Sequence, residues 1–128
     1  MARILVVDDA QIMCRILQAM LEKAGHEVVG IAYSGREGLD MYKRIRPDLV
    51  TLDIQMPGGD GLSCLQDIRA IDRDANVIMV TALGRGPAEE ESREKGASGY
   101  LVKPFRPEQL YEVIDHCLRD HDTGGWSH

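Results

Sequence analysis

The segment PDLVTLDIQMP, residues 47–57, decides the fold of this chain. Residues 48–52 form an apolar run of strand length, which stops at the acidic residue Asp53. A run without alternating polar residues is typical of a strand that is buried on both faces of a parallel sheet. Residues 57–61, which follow, have the composition of a loop. The segment therefore predicts a central strand whose carboxyl end carries an acid.

The same strand-like pattern recurs on both sides of this segment. The further apolar runs are residues 3–7, 27–32, 76–81 and 98–102. Stretches with helical spacing separate them, and Ser34 with Glu37 fits a capping box at the start of one such helix. The spacing of the first helix includes Ile12, Met13, Ile16, Leu17, Met20, Leu21 and Ala24. Five strands alternating with five helices predict a flavodoxin-like (βα)5 doubly wound parallel sheet with the strand order 2-1-3-4-5.

The bulk composition is that of one globular domain. The chain has 128 residues, 44% of them hydrophobic and 28% charged, with a net charge of −6. This charge opposes nucleic-acid phosphates and acidic lipids, and no apolar run approaches the roughly 18 residues of a membrane span. We therefore expect no direct nucleic-acid or membrane partner. Three cysteines without metal-ligand spacing, in a chain without a signal peptide, indicate reduced thiols and a cytoplasmic location.

The domain is expected to occupy residues 1–121. The last residues, 122–128, end in Gly-Gly-Trp-Ser-His, which resembles the start of an affinity tag. We therefore interpret residues 122–128 as a tail, a tag remnant, and exclude them from the fold argument. A short native tail is the alternative.

Polar side chains stand where four of the predicted strands end. Asp8 and Asp9 follow the first strand, Asp53 the third, Thr81 ends the fourth and Lys103 follows the fifth. In the predicted order these strands are neighbours, and ligand sites of such sheets form at the carboxyl ends of the strands. Each residue alone also has an ordinary explanation, such as a helix cap, a turn, a β-branched strand residue or a solvated lysine. Because all five residues are expected at one edge of the sheet, together they predict a ligand site there.

The residue types at this edge indicate phosphate chemistry. Three crowded carboxylates repel one another, and a divalent cation removes that penalty. Oxygen ligands without histidine or thiolate favour Mg²⁺, or Mn²⁺. The ammonium of Lys103 and the hydroxyl of Thr81 suit phosphoryl oxygens. Asp53 is then a candidate carboxylate nucleophile that forms an acyl phosphate.

Four motifs resemble those of the response-regulator receiver domain. They are LVVDD at residues 5–9, LDIQMPGGDG at 52–61, MVTA at 79–82 and YLVKPF at 100–105. The resemblance covers about residues 2–120 and is closest to the single-domain chemotaxis, or CheY-like, class. It implies that Asp53 is the phosphoacceptor, and that Thr81 and Lys103 contact the phosphoryl group.

The resemblance also assigns metal and switch residues. It implies that Asp9 binds Mg²⁺ directly, that Asp8 binds it through water, and that the backbone carbonyl of Gln55 is a further ligand beside Asp53. Tyr100 is implied as an aromatic switch that moves inward as Thr81 turns toward phosphate. The lesser alternative is an exposed strand aromatic without a role. The Lys103–Pro104 peptide bond is expected to be cis.

The implied function is a signalling switch rather than an enzyme. A sensor histidine kinase would donate the phosphoryl group, and a downstream protein would bind the face formed by helix 4, strand 5 and helix 5. The domain would catalyse only its own phosphorylation and dephosphorylation, and we expect a monomer. The alternative within this class is a receiver domain excised from a larger multidomain response regulator.

Two other classes fit the sequence less well. A flavodoxin-like cofactor binder predicts a Ser/Thr/Gly-rich phosphate loop after the first strand, where this chain has Asp8 and Asp9. A metal-dependent phosphohydrolase with an aspartyl-phosphate intermediate predicts a second aspartate two residues after the nucleophile, where this chain has Gln55.

Overall fold

A five-stranded parallel sheet in the order β2-β1-β3-β4-β5 forms the centre of the molecule. The structure is a computed structural model that describes residues 1–57 and 60–119. The predicted boundary at residue 121 and the tail at residues 122–128 lie outside the described residues. The elements are β1 Arg3–Val7, α1 Gln11–Lys23, β2 Glu27–Ala32, α2 Gly35–Ile45, β3 Leu49–Leu52, α3 Gly61–Ile71, β4 Val77–Thr81, α4 Pro87–Glu94, β5 Gly99–Val102 and α5 Pro107–Arg119.

The predicted fold class and strand order are confirmed. β3, β4 and β5 each begin one residue later than the sequence predicted, at Leu49, Val77 and Gly99. Central strand β3 pairs with β1 and β4, and its last residue, Leu52, lies beside Val7 and Met79. The residues after β1 and β3 therefore leave the sheet at the same level. No helix within the described ranges is long and apolar enough to cross a membrane.

The core consists of two layers, one on each face of the sheet. On one face Val50 and Leu52 belong to a cluster that includes Tyr42 of α2 and Leu65 of α3. On the other face Leu49 belongs to a cluster with residues of α1 and α5. A fully buried side chain of this size typically contributes about 1.5–3 kcal/mol. The two layers hold the strand ends in place, so the site at those ends has a rigid base.

Helix α1 buries a narrower face than its apolar spacing indicates. Its buried residues are Cys14, Leu17 and Leu21. Ile12 and Ile16, which share the helical spacing, are 74% and 40% exposed. The apolar stripe of α1 is therefore wider than the surface that the sheet covers.

Helix caps fix the chain next to the strand ends. The Ser34 half of the predicted capping box is confirmed, because Ser34 Oγ accepts from the Glu37 amide at 3.1 Å. The Glu37 carboxylate accepts from the amide of Tyr33, one residue before the cap, at 2.6 Å. At α3, Asp60 Oδ1 accepts from the Ser63 amide at 2.8 Å. Both caps satisfy amides that the helix itself leaves without partners.

Helix α3 starts in direct contact with the backbone of Asp53. The amide of Gly61 donates to the carbonyl of Ile54 at 2.7 Å. A Cβ atom at Gly61 would lie 2.0 Å from the carbonyl oxygen of Asp53. Glycine is therefore required here so that α3 can approach the end of β3.

We predict that Gly61→Ala destabilises the protein by at least about 2 kcal/mol, because the new methyl group meets backbone atoms that cannot turn aside. Gly35→Ala is the matched control, since Gly35 is likewise the first residue of a capped helix. The nearest atoms to its Cβ would all belong to side chains, with Cys64 Cβ at 3.3 Å and Met56 Cε at 3.9 Å. Urea unfolding of both variants measures the difference. Equal stabilities would contradict the close approach of α3 to Asp53.

Candidate magnesium and phosphoryl site

The ends of β1 and β3 bring the acidic residues together. The Asp53 amide donates to the carbonyl of Val7 at 3.0 Å, so the β1–β3 ladder continues one residue past β3. One ligand oxygen from each of Asp8, Asp9 and Asp53 lies within 4.8 Å of the others. Asp8 and Asp53 are buried, with 1% and 6% exposure, whereas Asp9 is exposed. The predicted carboxylate cluster is therefore present, and it opens to solvent on the Asp9 side.

Lys103 reaches the cluster from the end of β5. Its Nζ atom lies 2.7 Å from Asp8 Oδ2 and 3.6 Å from Asp53 Oδ2. Its amide donates to the carbonyl of Thr81 at 2.8 Å, which joins the ends of β4 and β5. The Lys103–Pro104 peptide bond is cis, as the sequence predicted. One ammonium group thus bridges two buried carboxylates.

The environment of Asp53 disfavours its charged form. Burial raises the pKa of the Asp53 carboxyl above its usual value, and the charges of Asp8 and Asp9 raise it further. The Lys103 ammonium and the Gln55 amide, which donates to Asp53 Oδ1 at 3.3 Å, lower this pKa without cancelling the effect of burial. Asp53 is therefore a carboxylate that gains from additional positive charge nearby.

The donor set fits a hard divalent cation. Every acidic group in the cluster offers oxygen, the ligand atom that Mg²⁺ and Mn²⁺ prefer. Lys103 supplies one positive charge to three carboxylates, so a deficit of positive charge remains. Gln55 is placed beside Asp53 by its amide. That its carbonyl is a metal ligand stays a prediction.

Thr81 and Tyr100 hold the same loop between β4 and α4. Both side chains are fully buried. Thr81 Oγ1 accepts from the Leu83 amide at 3.2 Å, and the Tyr100 hydroxyl donates to the Gly84 carbonyl at 2.7 Å. Tyr100 is therefore not an exposed strand aromatic. Its ring occupies the inward position, which the sequence analysis expected only as the result of switching.

Two contacts of the site were missed by the sequence analysis. The Cys14 thiol donates to the backbone carbonyl of Asp8 at 3.2 Å, and burial raises the pKa of Cys14 to about 11, so the thiol keeps its proton. Asp8 Oδ1 accepts from the Ala10 amide at 2.9 Å. The helical phase of Cys14 places it on the inner face of α1, but spacing alone does not reveal the acceptor.

The fold and this edge define an α/β protein of the doubly wound, flavodoxin-like class with an acidic cluster and a lysine at its strand ends. The chain belongs to the response regulator receiver domain family, whose model matches residues 4–115. This family consists of signalling domains and is not a classical enzyme family. Receiver domains bind Mg²⁺ through an acidic cluster, which agrees with the arrangement of Asp8, Asp9 and Asp53.

Known relatives cover almost all of the chain. The chemotaxis protein CheY of Thermotoga maritima is 40% identical over 113 residues, which are 88% of this chain and 94% of that protein. The chemotaxis protein CheY of Bacillus subtilis is 40% identical over 116 residues, 91% and 97% of the two chains. The crystal structure of the CheX-CheY-BeF3-Mg+2 complex from Borrelia burgdorferi matches with a TM-score of 0.88 and 32% identity, covering 91% of this chain and 88% of that chain.

We predict that Asp53→Asn stabilises the metal-free protein at neutral pH. The raised pKa of Asp53 means that the native state holds its proton more tightly than the unfolded state does. Stability from this group is therefore present below pH 3.8, the ordinary value, and is lost as pH rises through the folded-state pKa. Asparagine removes that loss.

Urea unfolding in EDTA at a series of pH values tests this, with the exposed Asp40→Asn as control. The advantage of Asp53→Asn should grow as pH rises, while Asp40→Asn should follow the unmodified protein. If Asp53→Asn is less stable than the unmodified protein at neutral pH, Asp53 is not a buried carboxylate whose charge is only partly neutralised by Lys103.

Proposed function

We propose that this receiver domain accepts a phosphoryl group on Asp53 from a sensor histidine kinase, and that phosphorylation alters the face formed by α4, β5 and α5. The observation that carries the proposal is the Asp53 carboxylate itself. It is buried, its pKa is raised, and it lies within 3.6 Å of a lysine at the strand-end edge of the sheet. An unmodified carboxylate gains little from this environment, whereas a transferred phosphoryl group brings oxygens that Lys103 can bind.

In the proposed transfer a carboxylate oxygen of Asp53 attacks the phosphorus atom of a phosphohistidine. A new O–P bond forms, the P–N bond breaks, and its electron pair leaves with the imidazole, which takes up a proton from solvent. The Lys103 ammonium moves from Asp8 toward the phosphoryl oxygens, and the Thr81 hydroxyl donates to one of them. Hydrolysis of the acyl phosphate returns the domain to its starting state, so it catalyses only its own phosphorylation and dephosphorylation.

Asp8, Asp9, Asp53 and the Gln55 carbonyl would hold Mg²⁺, or Mn²⁺ in its place. The bound cation supplies positive charge that neutralises the crowded carboxylates and the oxygens of the incoming phosphoryl group. Asp9 is the exposed member of the three and would face the open side where the donor arrives.

The β4–α4 loop would connect the site to the output face. Thr81 bonds the Leu83 amide, and Tyr100 bonds the Gly84 carbonyl one residue later. When Thr81 turns toward phosphate, its bond to Leu83 is lost, and the loop that Tyr100 holds from the other side shifts. Tyr100 then acts as the aromatic switch residue, and α4 moves with the loop that precedes it.

The partners follow from the family and the charge. Because the CheY relatives are chemotaxis proteins and cover nearly the whole chain, we assign the domain to chemotaxis signalling with a downstream protein as target. It would act as a cytoplasmic monomer formed by residues 1–121, without direct binding to nucleic acid or membrane. A receiver domain excised from a larger regulator is the alternative, and the full-length gene distinguishes the two.

We predict that acetyl phosphate with Mg²⁺ adds one phosphoryl group to the protein, measured as intact mass. Asp53→Asn should remain unmodified, because an amide is a poor nucleophile and cannot form an acyl phosphate. Chelation of Mg²⁺ should reduce phosphorylation at least about tenfold. Asp60→Asn is the matched control, since it lies on the same loop and asparagine keeps the helix cap. Phosphorylation of Asp53→Asn at the rate of the unmodified protein would overturn the proposal.

A further inference from the structure

The side chain of Arg85 lies over the ring of Tyr100. Its guanidinium carbon is 5.6 Å from the ring centroid, within the range of cation–π attraction. The same guanidinium forms an ion pair with Glu89 in the first turn of α4. Glu89 is the more buried partner, with a side-chain exposure of 14% against 45% for Arg85. Tyr100 is therefore covered by a charged pair that links the β4–α4 loop to α4.

The backbone on both sides of Arg85 makes this position possible. Gly84 and Gly86 have φ angles of +79° and +119°, which side-chain-bearing residues rarely adopt. The two glycines allow the positive φ angles on both sides of Arg85. The Gly84 carbonyl meets the Tyr100 hydroxyl while the Arg85 side chain meets the ring. The loop backbone thus contacts the hydroxyl of Tyr100, and the Arg85 side chain contacts its ring.

These contacts are independent of the phosphorylation chemistry. Among the contacts of Tyr100 are the Gly84 carbonyl and the Arg85 side chain, and Glu89 supports Arg85. They belong to the β4–α4 loop and α4, and the Asp53 carboxylate takes part in none of them. Their energy therefore favours the inward ring before any phosphoryl group is transferred.

We infer that Arg85, supported by Glu89, is a positioning residue that sets the resting balance of Tyr100 between inward and outward positions. The inference rests on the proposed function of Tyr100 as the switch residue. A contact of this type shifts a two-position equilibrium by about two- to five-fold. Coupling between two sites is reciprocal. The Arg85–Glu89 contact, which favours the inward ring, therefore also favours binding of phosphate, or of a phosphate mimic, at Asp53.

The test uses the full chain labelled with 3-fluorotyrosine. The Tyr100 fluorine signal is assigned with Tyr100→Phe, and the other three tyrosines serve as internal references. The difference in shift between H2O and D2O reports exposure of the ring. Arg85→Gln and Glu89→Gln should each raise the ratio of outward to inward rings by about two- to five-fold. Arg85→Lys, which keeps the cation, should restore most of the inward fraction.

Arg106→Gln is the matched control, because Arg106 pairs with Glu108 on the surface, where both side chains are 76% exposed. It should leave the Tyr100 signal unchanged. Titration with beryllofluoride and Mg²⁺ gives the reciprocal measurement. The midpoint should rise in Arg85→Gln by the factor by which the inward fraction falls. A merely structural role for Arg85 would lower stability without this matched change.

An unchanged Tyr100 signal in both Arg85→Gln and Glu89→Gln would overturn the inferred role of Arg85. So would a Tyr100 change that Arg106→Gln reproduces. If the unmodified protein itself binds no beryllofluoride, the proposed function fails, and the fluorine signal alone still decides whether Arg85 positions the ring. The two failures are therefore distinguishable.

Discussion

The repulsion between two buried carboxylates, and its partial relief by one lysine, is the constraint on which this site depends. Asp8 and Asp53 leave adjacent parallel strands at the same level, and burial disfavours the charged form of Asp53. Lys103 bridges them and holds the ends of β4 and β5 against the same edge. The carboxylates of this site therefore lack sufficient positive charge, and the proposed metal and phosphoryl group would act on that deficit.

The same arrangement explains how a change of charge at Asp53 would affect the face formed by α4, β5 and α5. The polar residues stand at strand ends, so the proposed phosphorylation of Asp53 would act on loops rather than on the packed sheet. The β4–α4 loop is held from one side by Thr81 and from the other by Tyr100, with Arg85 and Glu89 covering the ring. Loop contacts of this kind are individually weak, so small changes in charge can shift their balance.

The sequence predicted what depends on chain periodicity and missed what depends on side-chain geometry. Apolar runs and their polar ends predicted the strand order and the meeting of Asp8, Asp9, Asp53 and Lys103 at one edge, because parallel strands place their carboxyl ends together. The pairing of Lys103 with Asp8 at 2.7 Å depends on rotamers that no pattern encodes. The inward Tyr100, the Arg85 contact and the exposure of Ile12 depend likewise on how elements pack after they form.

In the proposed mechanism, the loop at residues 81–84 joins the Asp53 site to the β5 face. The most direct measurement is the amide spectrum of the protein labelled with ¹⁵N, with and without beryllofluoride and Mg²⁺. This mechanism predicts large shifts of the Leu83 and Gly84 amides together with those of α4, because Thr81 releases Leu83 when it turns to the phosphate mimic. Shifts confined to the residues around Asp53, with Leu83, Gly84 and α4 unchanged, would contradict it.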